Sequence, residues 1–160
     1  MLVIFDIDGT IADCQHRIPH IRPDPSHDPV TGKKKFRDFN RFHRECVFDT
    51  PIDAVVDIYK RYVNDPNVTV VLLTGRPLSA RDATVEWFEK HGLTGYDQLF
   101  TKGQGEDYLP DVEFKAGIAA QVQQQYGKPI DMVFEDRARV VAMWKDMGIF
   151  CVNVDQHGAD

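Results

Sequence analysis

The chain opens on four consecutive apolar residues, Leu2-Val3-Ile4-Phe5, that run directly into Asp6-Ile7-Asp8-Gly9-Thr10. A short run of β-branched and aromatic residues with no polar alternation predicts a strand buried on both faces. Such a strand lies inside a sheet covered by helices, so it fixes the class of fold before the rest of the chain is read. It also sets two carboxylates at the strand's carboxyl end, where open α/β sheets assemble their sites.

The same arrangement recurs downstream. Val68-Thr69-Val70-Val71-Leu72-Leu73 predicts a second buried strand, closed by Thr74-Gly75-Arg76-Pro77. Residues 96–101 predict a weaker third, 130–134 a fourth that stops at Glu135-Asp136, and 149–154 a last. Between them lie helical patterns. Ile52, Val55, Val56, Tyr59 and Val63 recur at helical spacing behind Pro51, a helix runs to about His91, Phe114, Ile118, Val122 and Tyr126 mark another, and Val140, Val141, Trp144 and Met147 a fourth. Strands alternating with helices predict an α/β fold: a doubly wound, mostly parallel sheet with helices on both faces. With 160 residues the chain is expected to form a single domain over 1–160. Residues 14–50 read as a small insert after the first strand. Its first part, 14–35, carries Pro19, Pro23, Pro25 and Pro29 and is expected to be loop. Phe36, Phe39, Phe42 and Cys46 then predict a short amphipathic helix whose aromatic rings pack on the core rather than stack on bases.

Charge narrows the function. A net charge of −6 disfavours sequence-independent binding along nucleic acid, although not recognition of a strand end. Basic residues gather in 15–46, Lys33-Lys34-Lys35 among them. No apolar run reaches membrane-spanning length and no secretory leader is read at the N-terminus, so a cytoplasmic protein is expected, in host cytoplasm if phage-encoded. Cys14, Cys46 and Cys151 are too few and too scattered for a disulfide framework. Cys14, His16 and His20 match no common zinc spacing. His16 and His43 receive no role.

Each chemical group has an ordinary structural reading taken alone: Asp6, Asp111, Glu135 and Asp136 as helix caps, Lys115 and Arg17 as solvated side chains, Thr74 as a turn residue. Together, and in this order, they describe a site. Asp6, Asp8, Glu135 and Asp136 would repel one another unless a hard cation sat among their oxygens, and few protein ligands with room for water and phosphate suit Mg²⁺. Asp6 is then placed to attack phosphorus, Asp8 to protonate the leaving oxygen and later activate water, and Thr74 and Lys115 to hold phosphoryl oxygens.

On Asp6-Ile7-Asp8-Gly9-Thr10, Leu73-Thr74-Gly75-Arg76, Lys115 and Glu135-Asp136, the chain resembles the haloacid dehalogenase superfamily of phosphohydrolases. A receiver domain shares Asp, Thr and Lys at strand ends, but there the lysine comes last. The C-terminal run Phe134-Glu135-Asp136-Arg137, with Val140-Val141, Met143-Trp144, Gly148 and Cys151, is further similar to the 3′-phosphatase domain of phage polynucleotide kinase-phosphatase. That resemblance implies an Mg²⁺-dependent phosphomonoesterase working through an aspartyl-phosphate. It implies Asp6, Asp8, Glu135 and Asp136 at the metal, and Arg17, Thr74, Gly75, Arg76, Asp111 and Lys115 around the substrate. It also implies a phosphorylated nucleotide or a nucleic acid 3′ end as substrate, in a repair setting with a separate kinase or ligase as partner. Two departures stand out. Glu135 occupies a place where aspartate is more usual, and no Gly-x-x-x-x-Gly-Lys-Ser/Thr loop occurs, so 5′ phosphorylation by that route is not expected. A nucleoside 5′-monophosphatase, or another small-phosphomonoester phosphatase, is the alternative. A non-catalytic binding module is a weaker one.

Overall fold

A computed structural model describes residues 1–22 and 37–160. In chain order the elements are β1 (Leu2–Phe5), β2 (Ala12–Asp13), α1 (Phe39–Arg44), β3 (Thr50–Pro51), α2 (Asp53–Val63), β4 (Thr69–Leu73), α3 (Arg81–Lys90), β5 (Gln98–Phe100), α4 (Asp111–Tyr126), β6 (Met132–Glu135), α5 (Ala138–Asp146) and β7 (Cys151–Asn153). Five strands form one parallel sheet in the order β5-β4-β1-β6-β7. β1 lies at the centre, with Phe5 level with Leu72 of β4 on one side and Phe134 of β6 on the other.

Alternate residues of β1 enter different cores, as the two-residue period of a strand requires. Leu2 and Ile4 pack with Val71, Phe114, Val122, Val140 and Trp144, which are contributed in part by α4 and α5. Val3 and Phe5 pack with Val55, Tyr59, Val70, Trp87 and Phe88, on the side of α2 and α3. Phe5 and Phe134 stack with ring centroids 4.5 Å apart. Burying a side chain of this size contributes roughly 1.5–3 kcal/mol. The α/β class, with helices on both faces, is as the alternation of the sequence predicts.

From β1 the chain winds outward to β4 and β5, then returns to lay β6 on the other side of β1. The order therefore reverses between β1 and β6. That is the switch point where a crevice opens outside the carboxyl ends of the strands. Asp6 follows β1 and Glu135-Asp136 closes β6, so both sit on that crevice.

The insert departs from expectation. Gln15–His20 is a 3₁₀ helix, not loop. Its turns are tied by Arg17 N to Cys14 O (3.1 Å) and Ile21 N to Ile18 O (3.0 Å), neither of which needs the N–H that Pro19 lacks. Pro51 does not open a helix. It lies in β3, which pairs antiparallel with β2, and α2 begins at Asp53. Strands of two residues leave no periodic trace in a sequence. This pair is set instead by contacts such as Ile52 N to Ile11 O (2.8 Å). Of the aromatic residues on α1, Phe42 is buried but Phe39 is 49% exposed, so only the first packs on the core as expected. Phe36 and Lys33-Lys34-Lys35 lie outside the described residues.

Candidate active site

Two charge clusters meet at the carboxyl end of β1. The first is built on Asp6, whose backbone N–H donates to Phe134 O (3.0 Å), continuing the β1–β6 pairing one residue past the strand. Its Oδ2 accepts from the Thr10 hydroxyl (3.2 Å) and its Oδ1 from Lys115 Nζ (2.7 Å). Lys115 comes from the second turn of α4, is 2% exposed, and also reaches Glu135 Oε2 at 2.6 Å. One oxygen each from Asp6, Glu135 and Asp136 lie within 4.8 Å of one another. Among the described residues a single lysine faces three buried carboxylates, so with all three ionised two negative charges are unbalanced. Asp136 Oδ1 is buried and finds no hydrogen-bond partner among the described residues. Gly9, at φ +79°, lets the backbone come so close that a Cβ there would stand 2.0 Å from Asp136 Oδ2. Hard oxygen donors, an orphaned carboxylate oxygen and a deficit of two positive charges fit a divalent cation such as Mg²⁺.

The electrostatics follow. Burial, then the Glu135 charge, push Asp6 up to about 7 against the pull of Lys115. Burial, then Asp6 and Glu135, push Asp136 up to about 9. With no metal bound, the folded state therefore keeps protons that the unfolded chain releases near the ordinary value of 3.8. Stability of the metal-free protein is expected to fall as pH rises from about 4 toward 9, because the folded state binds more protons in that window. Added Mg²⁺ should raise the melting temperature more at pH 8.5 than at pH 5. Melting curves at both pH values, with and without the ion, test this. A metal-free melting temperature that climbs with pH would refute it.

The second cluster holds Asp8. Its carboxylate, expected among the metal ligands, does not join the first cluster. It accepts from Arg17 Nη2 (2.5 Å) and from Arg76 Nη2 (2.6 Å) and Nε (3.1 Å). Burial would raise this carboxyl, but the two guanidiniums outweigh it and hold Asp8 below the usual carboxylate range. Asp49 completes the group, accepting from Arg17 Nε (2.8 Å), Arg17 Nη2 (2.7 Å) and Arg76 Nη2 (3.2 Å). Its carboxylate also meets His16 Nε2 at 2.8 Å, and its carbonyl accepts from the Trp87 indole (2.8 Å). Two arginines balance two aspartates here, so this cluster needs no metal.

The remaining expected residues surround these clusters. Thr74, buried at the end of β4, accepts from Arg76 N–H at 3.2 Å through its hydroxyl oxygen, which leaves the hydroxyl proton to donate. Gly75 passes so close to Asp111 that a Cβ would meet the carboxylate at 2.5 Å. Asp111 itself is held by Lys102 Nζ (2.8 Å) and by Arg137. Arg17 and Arg76, expected to touch substrate, are at most 1% exposed and spend their donors inside the protein: Arg17 Nη1 on Phe42 O, Arg76 Nη1 on Thr84. Asp49, Thr10, Lys102 and Arg137 are additions that the sequence reading missed. Asp49 had one usable signal: a buried arginine demands a carboxylate partner. Nothing in the spacing separated Asp49 from Asp38 or Glu45.

A central parallel strand followed by Asp6 and Asp8, with Thr74, Lys115 and Glu135-Asp136 at the same carboxyl edge of the sheet, is the arrangement of the haloacid dehalogenase class of phosphatase. The sequence matches the family described as "Polynucleotide kinase PNKP phosphatase domain" over residues 30–158, and the chain belongs to that family. Asp6, Asp8 and Arg17 precede the matched stretch. Comparison with curated proteins gives no match. Among solved structures, the chain is similar to one in a Pnkp1/Rnl/Hen1 complex (23% identity, TM-score 0.75, covering 99% of this chain and 46% of that one). It is also similar to one in a Pnkp1/Rnl/Hen1 RNA repair complex (22%, 0.72, 99% and 43%). A haloacid dehalogenase-like hydrolase from Streptococcus pneumoniae shares the fold at 14% identity (TM-score 0.66, covering 95% of this chain and 83% of that one). The chain thus spans less than half the length of the chains it matches in these two complexes. No helix among the described residues is long and apolar enough to cross a membrane.

Proposed function

We propose that this phosphatase removes the 3′-phosphate from a nucleic acid end or nucleotide, with Mg²⁺ and through an aspartyl-phosphate on Asp6. The observation that carries the chemistry is the Asp6–Glu135–Asp136 cluster with its orphaned Asp136 oxygen beside Lys115. The family match supports the substrate class. Asp6, Glu135 and Asp136 would hold the ion, which would supply positive charge to the phosphoryl group. Asp6 attacks phosphorus, and Lys115 and Thr74 donate to phosphoryl oxygens. Asp8, kept ionised by its two arginines, suits the second half of the reaction, in which it takes a proton from water. Protonating the leaving oxygen in the first half requires Arg17 and Arg76 to relax their hold on Asp8 as the phosphate dianion arrives. A ligase that seals 3′-hydroxyl ends is the class of enzyme that would consume the product. Residues 14–50 serve as an insert within the one phosphatase domain.

Phosphate release with Mg²⁺ from a 3′-phosphorylated oligonucleotide, compared with 3′- and 5′-mononucleotides, tests the assignment. The 3′-phosphorylated substrates are expected to turn over faster. Preference for 5′-mononucleotides would keep the chemistry and overturn the substrate. No release from any substrate would leave a binding module.

A further inference from the structure

A third charged cluster joins Lys102, Asp111 and Arg137. Lys102 Nζ meets Asp111 Oδ1 at 2.8 Å, and Arg137 Nη1 donates to Asp111 Oδ2. Among the described residues, Asp111 is the one side-chain carboxylate within 4.0 Å of either cation. The cluster is fastened to the active site at three points. The Arg137 N–H donates to Glu135 Oε1 (3.3 Å), the Lys102 N–H donates to Arg76 O (3.0 Å), and the Asp111 carboxylate lies against Gly75. Asp111 also stands one turn before Lys115 on α4. Side-chain exposure rises from 3% at Lys115 to 24% at Asp111 and 35% at Arg137, so the cluster leads from the crevice floor, where Lys115 meets Asp6, to solvent. Arg137 is the end that a ligand can reach. Its Nε donates to the main-chain oxygen of Asp160 (3.0 Å) and its Nη1 to Asp111, while Nη2 has no partner among the described residues. A guanidinium fixed through two of its three nitrogens presents the third in a set direction, and its donors suit a phosphate oxygen. The phosphate under attack already has Lys115 and Thr74. One helical turn, about 5.4 Å, separates Lys115 from Asp111, and the guanidinium stands beyond Asp111, a separation on the scale of one nucleotide.

We propose that Arg137 binds the phosphodiester that joins the terminal nucleoside to the rest of the strand, with Asp111, pinned by Lys102, holding the guanidinium in place. The inference rests on the nucleic-acid-end reading above and narrows it: the substrate is a polynucleotide end rather than a mononucleotide. Arg137 then sets specificity, and Asp111 and Lys102 are positioning residues.

The test measures Mg²⁺-dependent phosphate release from two dinucleotide 3′-phosphates, one with a natural phosphodiester and one with an uncharged methylphosphonate in its place. Each is made with a deoxyribose and with a ribose at the terminal nucleoside, and the sugar that turns over faster is used. In the native enzyme the methylphosphonate should raise KM about tenfold, the worth of one charge-assisted hydrogen bond. Arg137→Gln should raise KM for the natural dinucleotide by a similar factor, with the loss falling on KM more than on kcat, and should raise it less than about twofold for the methylphosphonate. Arg137→Lys, which keeps the charge and loses the fork, should recover part. A native enzyme indifferent to the methylphosphonate overturns the proposal without any variant. An Arg137→Gln loss equal on both substrates also overturns it, because Arg137 would then serve the phosphate under attack or only brace Asp111. The 3′-phosphatase reading is judged separately, by comparing 3′- with 5′-phosphorylated dinucleotides. If the 5′ ends react faster, that reading falls, and the same pair of linkages carrying a 5′-phosphate decides whether Arg137 still reads the neighbouring phosphodiester.

Discussion

Replacing Asp6 with asparagine is expected to lower phosphate release at least about 10⁴-fold while leaving the protein folded. Asparagine has nearly the shape of aspartate, and the position is held by backbone as much as by side chain. The Asp6 N–H to Phe134 O bond is untouched, and the side-chain oxygen can still accept from Lys115 or Thr10. The variant loses the charged oxygen able to form a bond to phosphorus. It also removes one of three crowded carboxylates, so above pH 7 the metal-free variant should melt no lower than the parent, given that burial and Glu135 already disfavour the Asp6 anion. Single-turnover phosphate release and thermal melts, run in parallel, check both halves. A variant that keeps a tenth or more of the native rate would move the nucleophile to another residue.

The second large effect is expected at Lys115. Lys115→Met keeps most of the side-chain volume but removes the one ammonium that, among the described residues, Asp6 and Glu135 share. Both carboxylates are buried, and leaving them unpaired should cost about 3–5 kcal/mol of metal-free stability. Turnover should fall about 10²–10³-fold, the usual loss when one preorganised donor to a developing charge is removed. The two effects separate under Mg²⁺. A divalent cation can offset much of the lost stability by balancing the same carboxylates, but it cannot replace the phosphoryl-oxygen donor that Lys115 is proposed to be. Urea unfolding with and without Mg²⁺, alongside steady-state rates, measures this. A stability loss below about 1 kcal/mol without the ion would mean that the carboxylates are neutralised by protonation rather than by Lys115.

The residues that proved hardest to read share a cause. Asp6, Lys115 and Glu135-Asp136 stand immediately beyond apolar runs or near the start of a clear helical pattern, so the alternation of strand and helix alone brought them to one sheet edge. Asp8 was legible as a carboxylate in the right place, but not as one clamped by Arg17 and Arg76. Those contacts join residues 9 and 68 positions apart in sequence. Asp49 lies 32 positions from Arg17 and between elements too short to show a period. Arg17 and Arg76 read as substrate-facing because they sit at positions matching site arginines of the family that the chain resembles. The balance of two guanidiniums against two buried aspartates turns them inward.

By itself the sequence determined the mostly parallel α/β architecture, the burial of β1 on both faces and a set of groups at its carboxyl edge. A buried strand has a two-residue period, a helix a 3.6-residue one, and both are local properties of the chain. The tertiary structure alone decided how the charges were shared out. One cluster was left short of positive charge and open to a cation, the other closed on itself. Pairing among buried charges depends on distances of a few ångströms between elements that the sequence keeps far apart.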